Sequence, residues 1–259
     1  MKRVAIFLYG LTSYAVFLGT FLYVIGFVGN FLVPKSIDSE PTMPFAPALL
    51  IDLGLLALFA VQHSVMARPF FKRWIKRFIP EAAERSTFVL AASLALILLV
   101  TYWQPLGGLI WQVELAGAAA AIYGLFAMGW LIVLVSTFMI NHFDLFGLRQ
   151  SWLALLGKPY KALTFRQPWL YRQVRHPLYV GFFIALWATP VMTVTHLVFA
   201  AMASAYIVVG TLLEERDLKE AHPEYAAYAK RVPRYIPRLR KTSGAVASDA
   251  PIRTYRETA

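Results

Sequence analysis

The chain has 259 residues, of which 59% are hydrophobic and 15% are charged, and its mean hydropathy is +0.57. This composition excludes a water-soluble globular protein, because too few polar side chains are available to cover its surface. The formal net charge is +11, but the basic residues stand at the ends of apolar runs, which favours membrane topology and contact with anionic lipids over nucleic-acid binding.

Cysteine is absent from the whole sequence. Its absence excludes disulfides, thiolate nucleophiles and cysteine-ligated zinc or iron–sulfur centres. The histidines and carboxylates also lack the spacing that is typical of a metal site. The apolar runs are long and continuous, unlike the alternating segments of about ten residues that form a β-barrel. The sequence therefore predicts an all-α, polytopic membrane protein with about five to six transmembrane helical segments.

Four apolar segments fill residues 1–140. The first, from Val4 to Val33, is too long for the core of a signal peptide and predicts a tilted transmembrane helix. The next three spans are predicted near 48–66, 86–103 and 115–140. Three glycines of the fourth span, which suit close helix packing, are Gly117, Gly124 and Gly129.

Two polar residues of the second span are candidates for function. Asp52 is an acid inside a membrane segment, although its place near the helix end favours contact with headgroups or capping of the helix. His63 lies near the other end, and we interpret it as an interfacial histidine with satisfied hydrogen bonds, contact with a ligand being the alternative. Basic and aromatic residues alternate over 68–78, which predicts an amphipathic segment on the inner leaflet.

The basic residues follow a regular alternation between loops. Six, six and eight Lys or Arg lie in 67–85, 141–177 and 212–241, whereas one lies in 34–47 and none in 104–114 or 189–196. Because cytoplasmic loops carry the excess of Lys and Arg, this pattern predicts an inner-membrane protein with both termini in the cytoplasm.

An uncharged run extends from Pro177 to Leu213. As one helix it would be about 55 Å long against a bilayer core of about 30 Å, so the chain must fold back. The only interruption stands at Pro190, where proline removes a helical hydrogen bond. A turn there brings two polar clusters to the same membrane face, and whether the first arm crosses the whole bilayer stays open.

The two polar clusters are Arg175-His176 and Glu214-Glu215. Cationic donors beside the start of a helix suit a carboxylate or phosphate, and the acids suit an ammonium or hydroxyl groups. A ligand that carries both positive and negative charge, such as S-adenosylmethionine, would satisfy both clusters. The alternative is that the clusters pair only with each other. The proline spacing over 232–237 predicts an extended segment lying over the site.

A longer pattern includes these clusters: Arg-His-Pro-x-Tyr-x-Gly, then Glu-Glu, then Tyr-x-x-Tyr and Val-Pro-x-x-Ile-Pro. It resembles the superfamily of isoprenylcysteine carboxyl methyltransferases and phospholipid methyltransferases. The resemblance implies an S-adenosylmethionine site formed by Arg175, His176, Pro177, Tyr179, Gly181, Glu214 and Glu215. The apolar runs and the charge distribution divide the chain into transmembrane helices in 1–140, a cytoplasmic loop, helical hairpin and cofactor region in 141–241, and a disordered tail in 242–259.

The amino-terminal half carries further motifs, at 62–69, 84–87 and 141–147. They resemble the bacterial methanethiol S-methyltransferases, and part of this similarity is shared with a membrane protein family linked to nitric oxide metabolism. The resemblance implies methylation of a small thiol, methanethiol, to dimethyl sulfide. Methylation of a lipid amine or a prenylated carboxylate remains an alternative, as does a non-catalytic membrane sensor or accessory protein.

Methyl transfer to a thiol requires the thiolate, and a thiol with a pKa of about 8.5 or above needs a base or a cationic stabiliser. The candidates for the acceptor side are His142, Asp144 and Arg216. Each has a structural alternative: residues 141–144 can cap and anchor the fourth helix, and Arg216 can pair with Glu220 one helical turn away.

Overall fold

The computed structural model describes residues 1–238, and the predicted tail at 242–259 lies outside them. The elements in chain order are α1 (Lys2–Gly29), α2 (Phe45–Ala67), α3 (Pro69–Ile75), α4 (Glu81–Tyr102), β1 (Leu109–Gln112), α5 (Ala116–Ile140), α6 (His142–Leu145), α7 (Leu148–Leu156), α8 (Pro177–Trp187), β2 (Val191–Thr193), α9 (Val194–Ala221) and α10 (Tyr225–Arg231). Helices dominate the described residues, which confirms the all-α prediction.

Five helices, α1, α2, α4, α5 and α9, are long and apolar enough to cross a membrane. The sixth apolar helix, α8, has only 11 residues and is therefore about 17 Å long, roughly half of a bilayer core. The first span is shorter than predicted, because Asn30 adopts a left-handed conformation at φ 59° and closes α1 after Gly29.

The predicted hairpin is present, and its turn carries a sheet that the sequence did not predict. After Pro190, β2 pairs antiparallel with β1, with Leu109 opposite Thr193 and Gln112 opposite Val191. The side chain of Thr193 then caps α9 by accepting a hydrogen bond from the backbone of His196. The short strands satisfy backbone groups where proline prevents a continuous helix.

Asp52 does not take either predicted position. Its side chain is fully buried, so it does not face headgroups. It accepts a hydrogen bond of 2.8 Å from the backbone nitrogen of Gln104, which lies just beyond α4, and so it does not cap its own helix. The amphipathic segment predicted at 68–78 contains α3, and Phe70, Trp74 and Phe78 are exposed there.

Glycine allows α5 and α8 to touch. A Cβ atom at Gly181 would lie 2.6 Å from the carbonyl oxygen of Gly129 and 2.8 Å from the backbone nitrogen of Val133, closer than such contacts allow. The predicted packing role is confirmed for Gly129 but is wrong for Gly117 and Gly124, which face open space. This crossing sets the position of α8 and of the polar residues that precede it.

Candidate functional site

Glu215 is the centre of a buried ionic cluster at the end of the bundle where α9 ends and α8 begins. Its carboxylate accepts hydrogen bonds from Nε of Arg175 at 2.9 Å and from a guanidinium nitrogen of Arg234 at 2.9 Å. Nε2 of His176 lies 3.1 Å from the same carboxylate. Glu215 is only 2% exposed, so all of its hydrogen-bonding capacity is used inside the protein.

The predicted return of the chain is confirmed by this cluster, because Arg175 precedes α8 and Glu215 lies near the end of α9. The sequence did not indicate that Arg234 would join them. The signal was present, since Arg234 lies between the two prolines of the carboxyl-terminal motif, but an isolated basic residue in a proline-rich segment does not reveal its partner.

Residues 232–238, which we call the C-terminal strap, lie across the start of α8. The backbone nitrogens of Arg175 and His176 donate to the carbonyl oxygens of Pro233 at 2.8 Å and Arg234 at 3.1 Å. The guanidinium of Arg175 also donates to the carbonyl of Ala229 at 2.7 Å. This segment is not helical and lies over the site, as predicted, but its backbone bends at Val232 and over 234–236 and is not fully extended. Its carbonyls satisfy donors that precede the helix.

An aromatic cluster holds α10 beneath the strap. Tyr225 and Tyr228 are almost fully buried and pack with Phe165 from the loop before α8. The hydroxyl of Tyr228 donates to the carbonyl of Tyr171 at 2.6 Å. Burial raises the pKa of Tyr228 to about 12, so this phenol stays protonated and keeps its donor role.

Glu214 differs from its neighbour in accessibility. Its side chain is 42% exposed, and Nδ1 of His176 lies 3.9 Å from its carboxylate. The hydroxyl of Tyr179 donates to Glu214 at 2.7 Å, and the rings of Tyr179 and His176 stack with centroids 5.3 Å apart. Glu214 therefore presents an acid, beside an aromatic ring and an imidazole, that a ligand can reach.

The structure brings five of the seven predicted cofactor residues into one cluster, namely Arg175, His176, Tyr179, Glu214 and Glu215. The other two predicted residues, Pro177 and Gly181, are explained by the backbone geometry at their positions. Pro177 is the first residue of α8, where the missing N–H costs nothing. Gly181 faces α5 at the close helix crossing.

The predicted acceptor-side residue His142 has both ring nitrogens occupied. One lies 2.8 Å from the hydroxyl of Tyr14 and the other 2.8 Å from the hydroxyl of Thr137. The ring also stacks on Phe138 at 4.4 Å, and burial lowers the pKa of His142. In this arrangement the imidazole ties α1 to the end of α5.

Asp144 and Arg216 are also paired. The carboxylate of Asp144 accepts a hydrogen bond of 2.6 Å from Arg149 and one of 3.3 Å from Tyr160. The side chain of Arg216 is 78% exposed and lies 3.5 Å from Glu220, as the helical spacing allows. Within residues 1–238, neither residue hydrogen-bonds to the cluster around Glu215.

Two polar residues outside the predicted set lie near the same end of the bundle. The buried Nδ1 of His63 has no hydrogen-bond partner among residues 1–238, so the prediction that its hydrogen bonds are satisfied is wrong. Arg85 donates through Nε to the carbonyl of Leu145 at 2.8 Å. The sequence indicated Arg85 only as part of a family-like motif, because its neighbours come from distant segments.

Comparison with known proteins identifies relatives over most of the chain. A protein from Crocosphaera subtropica named methanethiol S-methyltransferase is 52% identical over 94% of this chain and 96% of its own length. A protein of the same name from Mycobacterium tuberculosis is 50% identical over 92% and 98%, and bovine Nurim is 30% identical over 66% and 68%. No solved structure matches the chain. The family described as NnrU protein matches residues 51–229, and the chain belongs to this family together with the methanethiol S-methyltransferases.

Proposed function

We propose that this protein is an integral membrane methyltransferase that uses S-adenosylmethionine to convert methanethiol to dimethyl sulfide. The observation that carries the proposal is the identity of 52% to a methanethiol S-methyltransferase across nearly the whole of both chains. The reachable acid and aromatic ring beside the start of α8 support it, because they match the mixed charge of the methyl donor.

The seven cofactor residues divide into three groups in this proposal: residues that bind the donor, residues that hold the strap, and residues that position α8. Glu214 binds the ammonium group or ribose hydroxyls of the donor, and His176 and the first turn of α8 bind its carboxylate. Tyr179 offers a ring surface for the adenine. Arg175 and Glu215, together with Arg234, hold the strap over this surface, while Pro177 and Gly181 set the position of α8.

When bound, S-adenosylmethionine supplies a methyl group on a positively charged sulfur. Transfer to a thiolate is an in-line displacement in which opposite charges disappear, so alignment in a dry site supplies most of the acceleration. The buried cluster and the strap are suited to exclude water from the donor. Among the acceptor-side candidates His142, Asp144 and Arg216, we retain Asp144 on the acceptor side, because the carbonyl oxygen of its neighbour Leu145 accepts a hydrogen bond of 2.8 Å from Nε of Arg85.

The orientation in the membrane is also a proposal. The Lys and Arg distribution supports an inner-membrane location with both termini in the cytoplasm. A cytoplasmic site also agrees with a water-soluble methyl donor made in that compartment. Lipids surround the exposed apolar faces of the five long helices, and methanethiol is small and apolar enough to enter through them.

The proposed activity is tested in cells that express the protein and are supplied with methanethiol. We expect dimethyl sulfide in the headspace, rising with expression and absent from cells with an empty vector. Labelled methyl groups that appear in lipids or prenylated proteins, without dimethyl sulfide, would favour the rival methyltransferase activities. Purified protein that binds the labelled donor and releases no methylated product would favour a sensor.

Replacement of Glu214 by Gln tests the cofactor assignment. Because Gln keeps a hydrogen-bond acceptor but loses the charge, we expect the Kd for S-adenosylmethionine to rise about tenfold or more. The melting temperature should not change, since Glu214 is half exposed. Binding of radiolabelled donor to purified protein provides the measurement, and Glu224→Gln, at another exposed acid, is the matched control. An unchanged Kd in Glu214→Gln removes this residue from the site.

A further inference from the structure

A second group of polar and aromatic residues, the His63 cluster, lies where α2, α4 and α9 meet at the site end of the bundle. Its members are His63, Phe59, Phe88, Tyr206 and Arg85. The His63 ring stacks on Phe59 with centroids 5.4 Å apart and lies 4.9 Å from Phe88 and 6.4 Å from Tyr206. Three aromatic rings therefore enclose an imidazole that carries a buried Nδ1 without a hydrogen-bond partner among residues 1–238.

A buried polar atom without a partner is unusual, because leaving it unsatisfied costs about 1–3 kcal/mol. The other histidines at this end show the contrast: His142 uses both ring nitrogens, and His176 contacts Glu215. Among these three histidines, His63 is the one with a buried ring nitrogen that has no hydrogen-bond partner among residues 1–238. Its lone pair or N–H is therefore available to a group that the protein itself does not supply.

The charges that act on His63 are positive. They come from Arg85 on α4 and from Arg68 at the end of α2, and the titratable group facing it from α9 is the phenol of Tyr206. Arg68 is already paired with Asp217 at 2.8 Å. Arg85 is held differently: its guanidinium carbon lies 5.4 Å above Phe88, and only its Nε donates to the protein within residues 1–238. Its two terminal nitrogens can therefore bind an anion.

The His63 cluster adjoins the proposed cofactor residues. The hydroxyl of Ser64, next to His63, donates to the phenol oxygen of Tyr206 on α9 at 3.2 Å. The charges of Glu84, Asp144 and Glu214 act on Arg85. Arg68, five residues beyond His63, donates to the carbonyl oxygen of Leu213, the residue before Glu214, at 3.2 Å, so α2 brings His63 towards the Glu214 and Tyr179 pair. A small molecule between them would contact the imidazole on one side and a donor held by Glu214 on the other.

We propose that the His63 cluster is the acceptor site, in which His63 takes the proton of a short alkyl thiol and Arg85 binds the thiolate. This proposal rests on the proposed function. The imidazole lone pair accepts the S–H proton, and the sulfur electron pair then forms a bond to the donor methyl carbon. The bond from that carbon to the donor sulfur breaks, its electron pair stays on the donor sulfur, and the imidazolium later releases its proton to water.

The chemistry of the cluster also defines the substrate class. The walls formed by Phe59, Phe88 and Tyr206 suit a methyl or another short apolar group beside the sulfur. Arg85 offers the positive charge that a thiolate needs. The ion pair between the guanidinium and the thiolate offsets the unfavourable proton transfer from a weakly acidic thiol. A short, uncharged alkyl thiol fits this arrangement.

The experiment compares full-length wild-type protein with His63→Asn at saturating S-adenosylmethionine. Near pH 7 we expect the methylation rate to fall about 100-fold or more, which is the usual contribution of a general base. The rate of the variant should then rise about tenfold per pH unit below the thiol pKa, because only thiolate formed in solution can react. A more acidic thiol should recover much of the loss, and the Kd of the donor should not change.

The pH profile separates a base from a structural residue, since a packing defect lowers the rate by the same factor at every pH. His222→Asn is the matched control, because His222 lies beyond α9 beside Phe165 and should keep the wild-type profile. If His63→Asn does not fold, His63→Gln provides the same test. Arg85→Gln should raise the KM for the thiol without changing the Kd of the donor.

The outcomes distinguish this proposal from the function on which it rests. If the wild-type protein methylates no thiol, the proposed function fails. If the wild-type protein produces dimethyl sulfide and both His63 variants keep its rate and pH profile, the function stands and the assignment of His63 as the base is overturned. A uniform loss at all pH values with unchanged donor affinity also overturns it.

Discussion

Replacement of Glu215 by Gln should release the C-terminal strap and abolish measurable cofactor binding. The side chains of Glu215 and Arg175 are 3% and 9% exposed, so the substitution leaves a buried guanidinium without its counter-charge. Removing one partner of such a buried pair costs about 3–5 kcal/mol. Arg234 is 44% exposed and can return to water. The strap then keeps one side-chain hydrogen bond, the donation of 2.7 Å from the hydroxyl of Tyr235 to Thr211.

Limited trypsin digestion read by mass spectrometry measures this release, because Arg231 precedes the strap, Arg234 lies within it, and both become cleavable when it detaches. Hydrogen exchange at the backbone nitrogens of Arg175 and His176, which are bonded to strap carbonyls, should accelerate in parallel. Glu214→Gln is the matched control, since it changes the adjacent acid and should keep the strap protected. Wild-type protease resistance in Glu215→Gln would contradict the structural role assigned to this residue.

Replacement of Gly181 by Ala should destabilise the protein by about 1–3 kcal/mol and weaken cofactor binding as well. The added Cβ would lie 2.6 Å from the carbonyl oxygen of Gly129 and 2.8 Å from the backbone nitrogen of Val133. Both contacts involve main-chain atoms of α5, which cannot rotate away as a side chain can. The helices must therefore separate, and Arg175 and His176 move with the start of α8.

The measurement is thermal unfolding of purified protein in detergent, together with the Kd for S-adenosylmethionine. Gly124→Ala, on the partner helix α5, is the matched control, because a Cβ there meets nothing within 4 Å, and we expect a change within about 0.5 kcal/mol. Equal stability of the Gly181 and Gly124 variants would show that α5 and α8 are not packed closely through Gly181.

The two adjacent glutamates illustrate how a helix assigns different roles to neighbouring residues. Consecutive positions on an α-helix are rotated by about 100°, so Glu215 points into the protein while Glu214 stays half exposed. One carboxylate then organises the cluster and the other is available to a ligand. A cofactor site formed in this way depends on both acids. Loss of Glu214 should weaken cofactor binding alone, whereas loss of Glu215 should also release the strap.

Much of the architecture could be predicted from local features of the chain. Apolar runs of sufficient length become membrane helices in any packing arrangement, which is why about five to six transmembrane segments and the all-α class were predicted. An uncharged run that would form a helix nearly twice as long as the bilayer core is thick must also fold back, and Pro190 indicated the position of the turn. The proline spacing over 232–237 excluded helix there, so a non-helical segment over the site was predicted as well.

The partners of individual polar side chains were decided only by the tertiary structure. The sequence determined that Glu214, Glu215, His63 and His142 would lie near one end of the bundle. It could not determine that Glu215 is enclosed by two arginines, that His142 is bonded at both nitrogens, or that Nδ1 of His63 lacks a partner among the described residues. Those outcomes depend on how each helix is rotated about its axis. Contacts with distant segments set that rotation, and apolar helices with little amphipathic character carry almost no local signal for it.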